Sequence, residues 1–211
     1  MFVRSNIRLD MPQRALKPIL TLLVLMIYGC APVKIDGKSE SLAPANIVTS
    51  ATAPSVPVHF HLDGTKTLNH RLQYATYARG GGGYIFDFSD AAKGAAITAI
   101  DKNFLRNDAR NGSFWIDLVF SDLDVHVSCR KGFFTITCGG SSKISASLLL
   151  KSPNGRSSTE LLSVYSDDSE ESEGIACEVV PNEAEKNFNS AFKNLMTAVI
   201  AKASEFIEAD N

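Results

Sequence analysis

Apolar and polar residues change rhythm several times along the chain. Residues 18–29 (PILTLLVLMIYG) are almost wholly apolar and uncharged. From 31 to about 57 no apolar period is sustained, and Ala, Ser, Thr and Pro dominate. Such a stretch buries too little surface to offset its ordering entropy, which predicts a tether. At 58–62 alternation begins, with Val58, Phe60 and Leu62 on one face of a strand and His59 and His61 on the other. Residues 68–77 follow neither rhythm. Four glycines at 80–83 break the chain, and 84–88 (YIFDF) reads as a second short strand. Ser89 is placed to cap a helix from Asp90, with Ala92, Ala96, Ile100 and Phe104 along one side and Ile97 beside them.

A β region follows. Ile116, Leu118 and Phe120 hold one phase of alternation; Leu123, Val125, Val127 and Cys129 hold the other. A period of two changes phase only through an extra residue, so a bulge is expected at Ser121-Asp122. Lys131-Gly132 can turn the chain into a strand at 133–138, and 139–142 (GGSS) predicts a break. Residues 144–150 form another strand, turned by Pro153-Asn154-Gly155 into one at 160–165. At the end, Asn182 with Glu185 forms a capping pair just after Pro181. Phe188, Phe192, Leu195, Met196, Val199, Ala203 and Phe206 then fall on one helical stripe, as a core-packing face does. The pattern predicts a single α+β domain over 58–211, an antiparallel β-meander with two helices packed on one face.

The amino terminus is read apart from this fold. Arg14 and Lys17 precede the apolar run and Gly29 closes it, the form of a secretory signal. Twelve helical residues span about 18 Å, short of the ~30 Å of a bilayer core. Met11 offers a second start that would drop Asp10. Ile27-Tyr28-Gly29-Cys30 resembles the lipobox of bacterial lipoproteins: an aliphatic residue, a variable one, a small one, then cysteine. Tyr28 departs from the pattern, where small residues are commoner. The resemblance implies a signal peptide over 1–29, diacylglycerol on the Cys30 thiol, and an acylated new amino terminus. Residues 30–57 would then be the lipidated cysteine and its tether. Two or three acyl chains hold a protein on a bilayer stably where one does not. Ala31, in place of an aspartate after the cysteine, implies the outer membrane in a Gram-negative cell, with the domain facing the periplasm.

Charge narrows the partners. Loss of Arg4, Arg8, Arg14, Lys17 and Asp10 takes the 21 basic and 23 acidic residues to 17 and 22, a net charge of −5. A negative domain without a basic run does not suit nucleic acid or docking on anionic lipid headgroups.

Candidate chemistry is sparse. After lipidation of Cys30, Cys129, Cys138 and Cys177 are the candidates for a disulfide in an oxidising compartment. With a two-residue turn at Lys131-Gly132, Cys129 and Cys138 share a face but stand four residues apart, ~13 Å at the strand rise. A disulfide needs Cα atoms within about 7 Å. A longer turn would bring them together; a bridge from Cys177 to one of them is the alternative. No CxxC or nearby histidine turns these thiols toward zinc. His59 and His61 could share a metal with a third ligand, but face solvent with only Asp63 near, so no metal site is assigned. The glycines at 80–83 run into a strand rather than a helix, which makes them a connection and not a phosphate loop. Residues 166–173 (SDDSEESE) lack the ligand spacing of a calcium loop and read as a solvated excursion between strands. Asp117, Asp122, Asp124 and His126 lie close in sequence, as polar positions on a strand do. With no GxSxG and no paired-carboxylate set, the chain is read as a non-enzyme without a cofactor.

The order of parts, with the helix from Asp90, the LDVHV strand at 123–127, the ISASLLLKSPNG hairpin at 144–155 and the final amphipathic helix, resembles the small outer-membrane lipoproteins auxiliary to ABC-type transport systems. That resemblance implies helices layered on a sheet, a periplasmic location and a non-catalytic accessory role in envelope transport. Cys30 is the one functional residue it carries over; the glycine and acidic segments depart from it. Three functions follow as expectations: an envelope adaptor that binds a protein partner, a carrier of a lipid or apolar ligand, or a hydrolase. An adaptor should carry an apolar patch or an open sheet edge. A carrier needs a cavity, and an enzyme needs a cleft with clustered titratable groups.

Overall fold

The computed structural model describes residues 33–36, 56–73, 83–107, 112–131, 135–174 and 176–210. In chain order the elements are β1 (Val33–Asp36), β2 (Pro57–Asp63), a 3-10 turn (Thr65–Leu68), β3 (Asn69–Gln73), β4 (Gly83–Asp87), α1 (Ser89–Asn103), β5 (Leu105–Arg106), β6 (Phe114–Lys131), β7 (Ile136–Lys151), β8 (Ser157–Gly174) and α2 (Ala176–Glu208). The fold is α+β. A five-stranded sheet has the order β5-β2-β6-β7-β8, and a three-stranded one the order β1-β4-β3.

The meander is real for β6, β7 and β8, which pair antiparallel. The sheet as a whole is mixed, because β2 lies parallel to β5 and β6. A parallel neighbour requires a crossover, and the chain between β2 and β6, α1 included, supplies it. Within the segment expected to be a tether, Val33–Asp36 pairs parallel with Tyr84–Asp87.

The phase change along β6 is absorbed where alternation requires it. The register with β7 shifts between Phe120 and Asp122. Ile116, Leu118, Phe120, Leu123 and Val125 all end up buried on the same side. Gly64 packs beside this bulge with φ 71°; a Cβ there would stand 2.2 Å from the Phe120 carbonyl oxygen. Only glycine fits, on both counts.

Three predicted breaks are absent. The Gly139–Ser142 segment continues β7: Gly140 pairs with Val127 and Ser142 with Val125. A Cβ on Gly140 would lie 2.9 Å from the Asn187 side chain, so the glycine admits α2 against the sheet rather than ending a strand. The acidic stretch 166–173 is likewise strand, paired with β7. It lies at the edge of the sheet, and a run of charge on an edge strand discourages further pairing. Finally, α2 starts at Ala176, with Pro181 inside it, and the Asn182–Glu185 cap is not used. Burial of Val179 and Val180 extends the apolar stripe back by more than a turn. That burial outweighs the backbone hydrogen bond lost at proline.

At α1 the cap position is Phe88, not Ser89. The Ser89 amide instead donates to Asp87 Oδ1 at 3.2 Å. Ala91, Ala92, Ala95, Ala96, Ala99 and Ile100 are buried, small side chains that let this helix approach closely. The core between helices and sheet is aromatic. Phe88 and Phe188 stack at 3.9 Å between ring centroids, and Phe192 lies 6.0 Å from Phe188 and 6.2 Å from Phe120. Every residue of the predicted carboxy-terminal stripe is buried here.

Candidate interaction surface

Both helices pack on one face of the five-stranded sheet, so the alternate residues of its strands point the other way. The pairings put these outward residues in rows: His59–Trp115–Lys151–Ser157, His61–Asp117–Leu149–Thr159, and Asp63–Val119–Ser147–Leu161. Beyond the bulge come Asp122, Asp124 and His126, opposite Ser145, Lys143 and Ser141. Along its middle strands this face is half-buried. At its β8 side, Leu161 is 86% and Tyr165 58% exposed, unusual values for side chains of that size.

The face is chemically mild. His59 lies against the Trp115 ring, with centroids 4.6 Å apart. The Lys151 ammonium sits 6.0 Å from the centroid of the same ring. His61 Nδ1 and Asp117 Oδ1 are 2.9 Å apart across the β2–β6 ladder. The carboxylate that meets His61 is therefore Asp117, not the sequence neighbour Asp63, whose Oδ1 accepts the Gly64 amide. Among the described residues no three His, Cys, Asp or Glu side chains are grouped to hold a metal ion. Asp117, Asp122, Asp124 and His126 line one strand and converge on no common point. Of the glycines at 80–83, the first three lie outside the described residues, and Gly83 opens β4.

The cysteines divide. Cys129 and Cys138 are bonded, with Cα atoms 4.1 Å apart. The two-residue turn was the error: β6 runs to Lys131 and β7 begins only at Ile136, so the cysteines face one another. The longer connection does what the shorter one could not. Cys30, with Ile27, Tyr28 and Gly29, lies outside the described residues, and so does the side chain of Cys177.

On the covered face a polar seam interrupts the core near the start of α2. Glu183 is 1% exposed; its Oε1 accepts the Ser172 hydroxyl and its Oε2 has no hydrogen-bond partner. The Asn187 amide donates to the Glu183 carbonyl at 2.9 Å, and the Ser142 hydroxyl is buried without a partner. The sequence pattern did not single out 183 or 187, because the helix was expected to begin only at Asn182; extending the helical spacing back from Phe188 is the signal that finds them. The bare face carries a similar lesson: Leu161 was legible as a strand residue, but its exposure depends on which strand ends the sheet.

No protein-family model matches the sequence, and no curated protein matches it. Solved structures resemble the fold loosely. A Xanthomonas campestris protein of the DUF330 family is 10% identical, with a TM-score of 0.44, covering 87% of this chain and 98% of that one. A minor lipoprotein from Acinetobacter baumannii is 7% identical, with a TM-score of 0.38 over 71% and 92%. The rare lipoprotein B of Shewanella oneidensis is 8% identical, with a TM-score of 0.39 over 72% and 99%. These are distant likenesses. They assign no family and carry no function across.

Proposed function

We propose that this chain is a non-catalytic lipoprotein of the cell envelope, held on the outer membrane through Cys30, whose bare sheet face receives a protein partner. The observation that carries the reading is the one-sided sheet: two helices on one face and, at the β8 end of the other, the exposed side chains of Leu161 and Tyr165. Exposed aromatic and aliphatic side chains in a polar rim are the composition of a protein-binding patch. The Cys129–Cys138 bond supports an exported protein, since such bonds persist in oxidising compartments. Among the described residues no helix is long and apolar enough to cross a membrane. The lipobox at Ile27–Cys30 provides the attachment, and a role beside an envelope transport system follows from the sequence resemblance alone.

The carrier reading finds less support. The space between helices and sheet is filled by Phe88, Phe120, Phe188 and Phe192 in mutual contact. The hydrolase reading has no set of residues to name.

Two measurements test the proposal. Replacing Cys30 with Ser should stop incorporation of labelled palmitate and release the protein from the membrane fraction. A photoreactive residue at Trp115, in the lipidated protein in its own cells, should give a discrete adduct with one envelope protein. The same residue at Thr98, exposed on α1, should give none. Retention of the Cys30→Ser protein on membranes would remove the anchor from this account, and equal labelling from both positions would remove the recognition face.

A further inference from the structure

Among the described residues β8 ends its sheet, and that edge is guarded along only half its length. Native edge strands are blunted by charge, proline, bulges or short length. The carboxy-terminal half has two of these devices: five acidic residues at 166–173 and an irregularity where 169–171 face Gly139 alone. The amino-terminal half has neither. From Ser157 to Asp168 the pairing with β7 is unbroken, a straight edge of roughly 40 Å at the strand rise. Residues 157–165 (SSTELLSVY) hold one charge, Glu160, and no Pro or Gly. Glu160 is itself engaged by Lys202 of α2 at 3.4 Å.

The order of residues there is nearly symmetric about Ser163. Leu162 and Val164 flank it, then Leu161 and Tyr165, then Glu160 and Ser166, then Thr159 and Asp167. Taking β8 as part of the recognition surface, as the adaptor reading does, we propose that it pairs antiparallel with β8 of a second copy about a two-fold axis at Ser163. In that register Leu161 of each copy lies opposite Tyr165 of the other on the bare face. Leu162 lies opposite Val164 on the helix-covered side, where both are already partly buried. Directly opposed apolar pairs of this kind are the unit of sheet stabilisation.

Charge selects this arrangement. Each acidic half runs alongside the other copy's Pro153–Gly155 turn, near Arg156 and Lys202, and no like charges are directly opposed. A parallel pairing in register would lay acid on acid. Shifting the antiparallel register by one pair puts Val164 opposite Glu160 in one direction and Leu161 opposite Asp167 in the other, so each alternative sets an apolar side chain against a charge. An isologous two-fold contact closes on itself and needs no third copy. The product is a ten-stranded sheet with a doubled bare face.

The register gives the test. Opposed Cα atoms at Ser163 would stand about 4.5–5.5 Å apart, within disulfide reach. Those at Thr159 would be about 27 Å apart along the ladder. In the full chain, exported and lipidated in cells, Ser163→Cys should run mostly as a reducible dimer. Thr159→Cys should behave like the unsubstituted chain. Adding Leu161→Lys to Ser163→Cys should cut the dimer at least tenfold. No dimer at Ser163, or equal dimer at both positions, overturns the proposal. A disulfide adduct of Ser163→Cys with a different envelope protein overturns self-pairing while leaving the adaptor reading intact; loss of the Trp115 adduct strikes that reading and not this one.

Discussion

The two faces of the five-stranded sheet are built from the same strands and differ in what covers them. On one, Phe120, Ile144, Leu148 and Leu150 meet Phe188, Phe192, Leu195 and Val199 and are shut from solvent. On the other, residues one position along are half-buried or exposed, and two large side chains at the β8 end are left open. Stability resides on the first face; the proposed recognition uses the second. Few substitutions should matter to both.

The sharpest way to break that division is from the covered side. Phe188 stacks on Phe88 at the centre of the core, and Phe188→Ala should lower unfolding free energy by about 3–5 kcal/mol in a denaturant titration. A value under about 1 kcal/mol would mean that the helix does not hold the sheet. Next comes the hairpin tip. Removing the bond by Cys129→Ala with Cys138→Ala reopens a short loop, with an expected loss of about 3 kcal/mol and an unchanged refolded secondary structure. Gly64→Ala acts at the bulge, where the added methyl meets the Phe120 carbonyl in a left-handed backbone; about 2 kcal/mol should be lost in the same titration. On the bare face, Leu161→Ser and Tyr165→Ser should shift monomer stability by less than about 0.5 kcal/mol. A large loss there would show that the face is covered in the free protein and is not a recognition surface.

Much of this division was written in the alternation of residues. The phase change between Phe120 and Leu123 located the bulge, and the stripe from Phe188 to Phe206 identified the helix that covers the sheet. Local rules failed where tertiary burial overrode them. Gly139-Gly140 reads as a break, but the missing side chain of Gly140 is what lets Asn187 and Glu183 approach. Pro181 reads as a helix boundary, but Val179 and Val180 gain enough by burial to carry the helix through it. The acidic stretch reads as loop because charge is uncommon inside a sheet, whereas an edge strand tolerates it. The parallel placement of β2 left no local trace, since register between distant segments is decided by the packing of both. The exposure of Leu161 and Tyr165 was illegible for the same reason: neither residue announces that its strand ends the sheet.

A recognition face must be covered in the cell. Hydroxyl-radical labelling of Trp115, remote from the β8 edge and so independent of self-pairing, reads this directly. Labelling should be several-fold slower in intact envelopes than in the purified lipidated protein, with Thr98 on α1 labelled equally in both. Equal rates at Trp115 in the two preparations would contradict the claim that the uncovered side of the sheet is where this protein meets its partner.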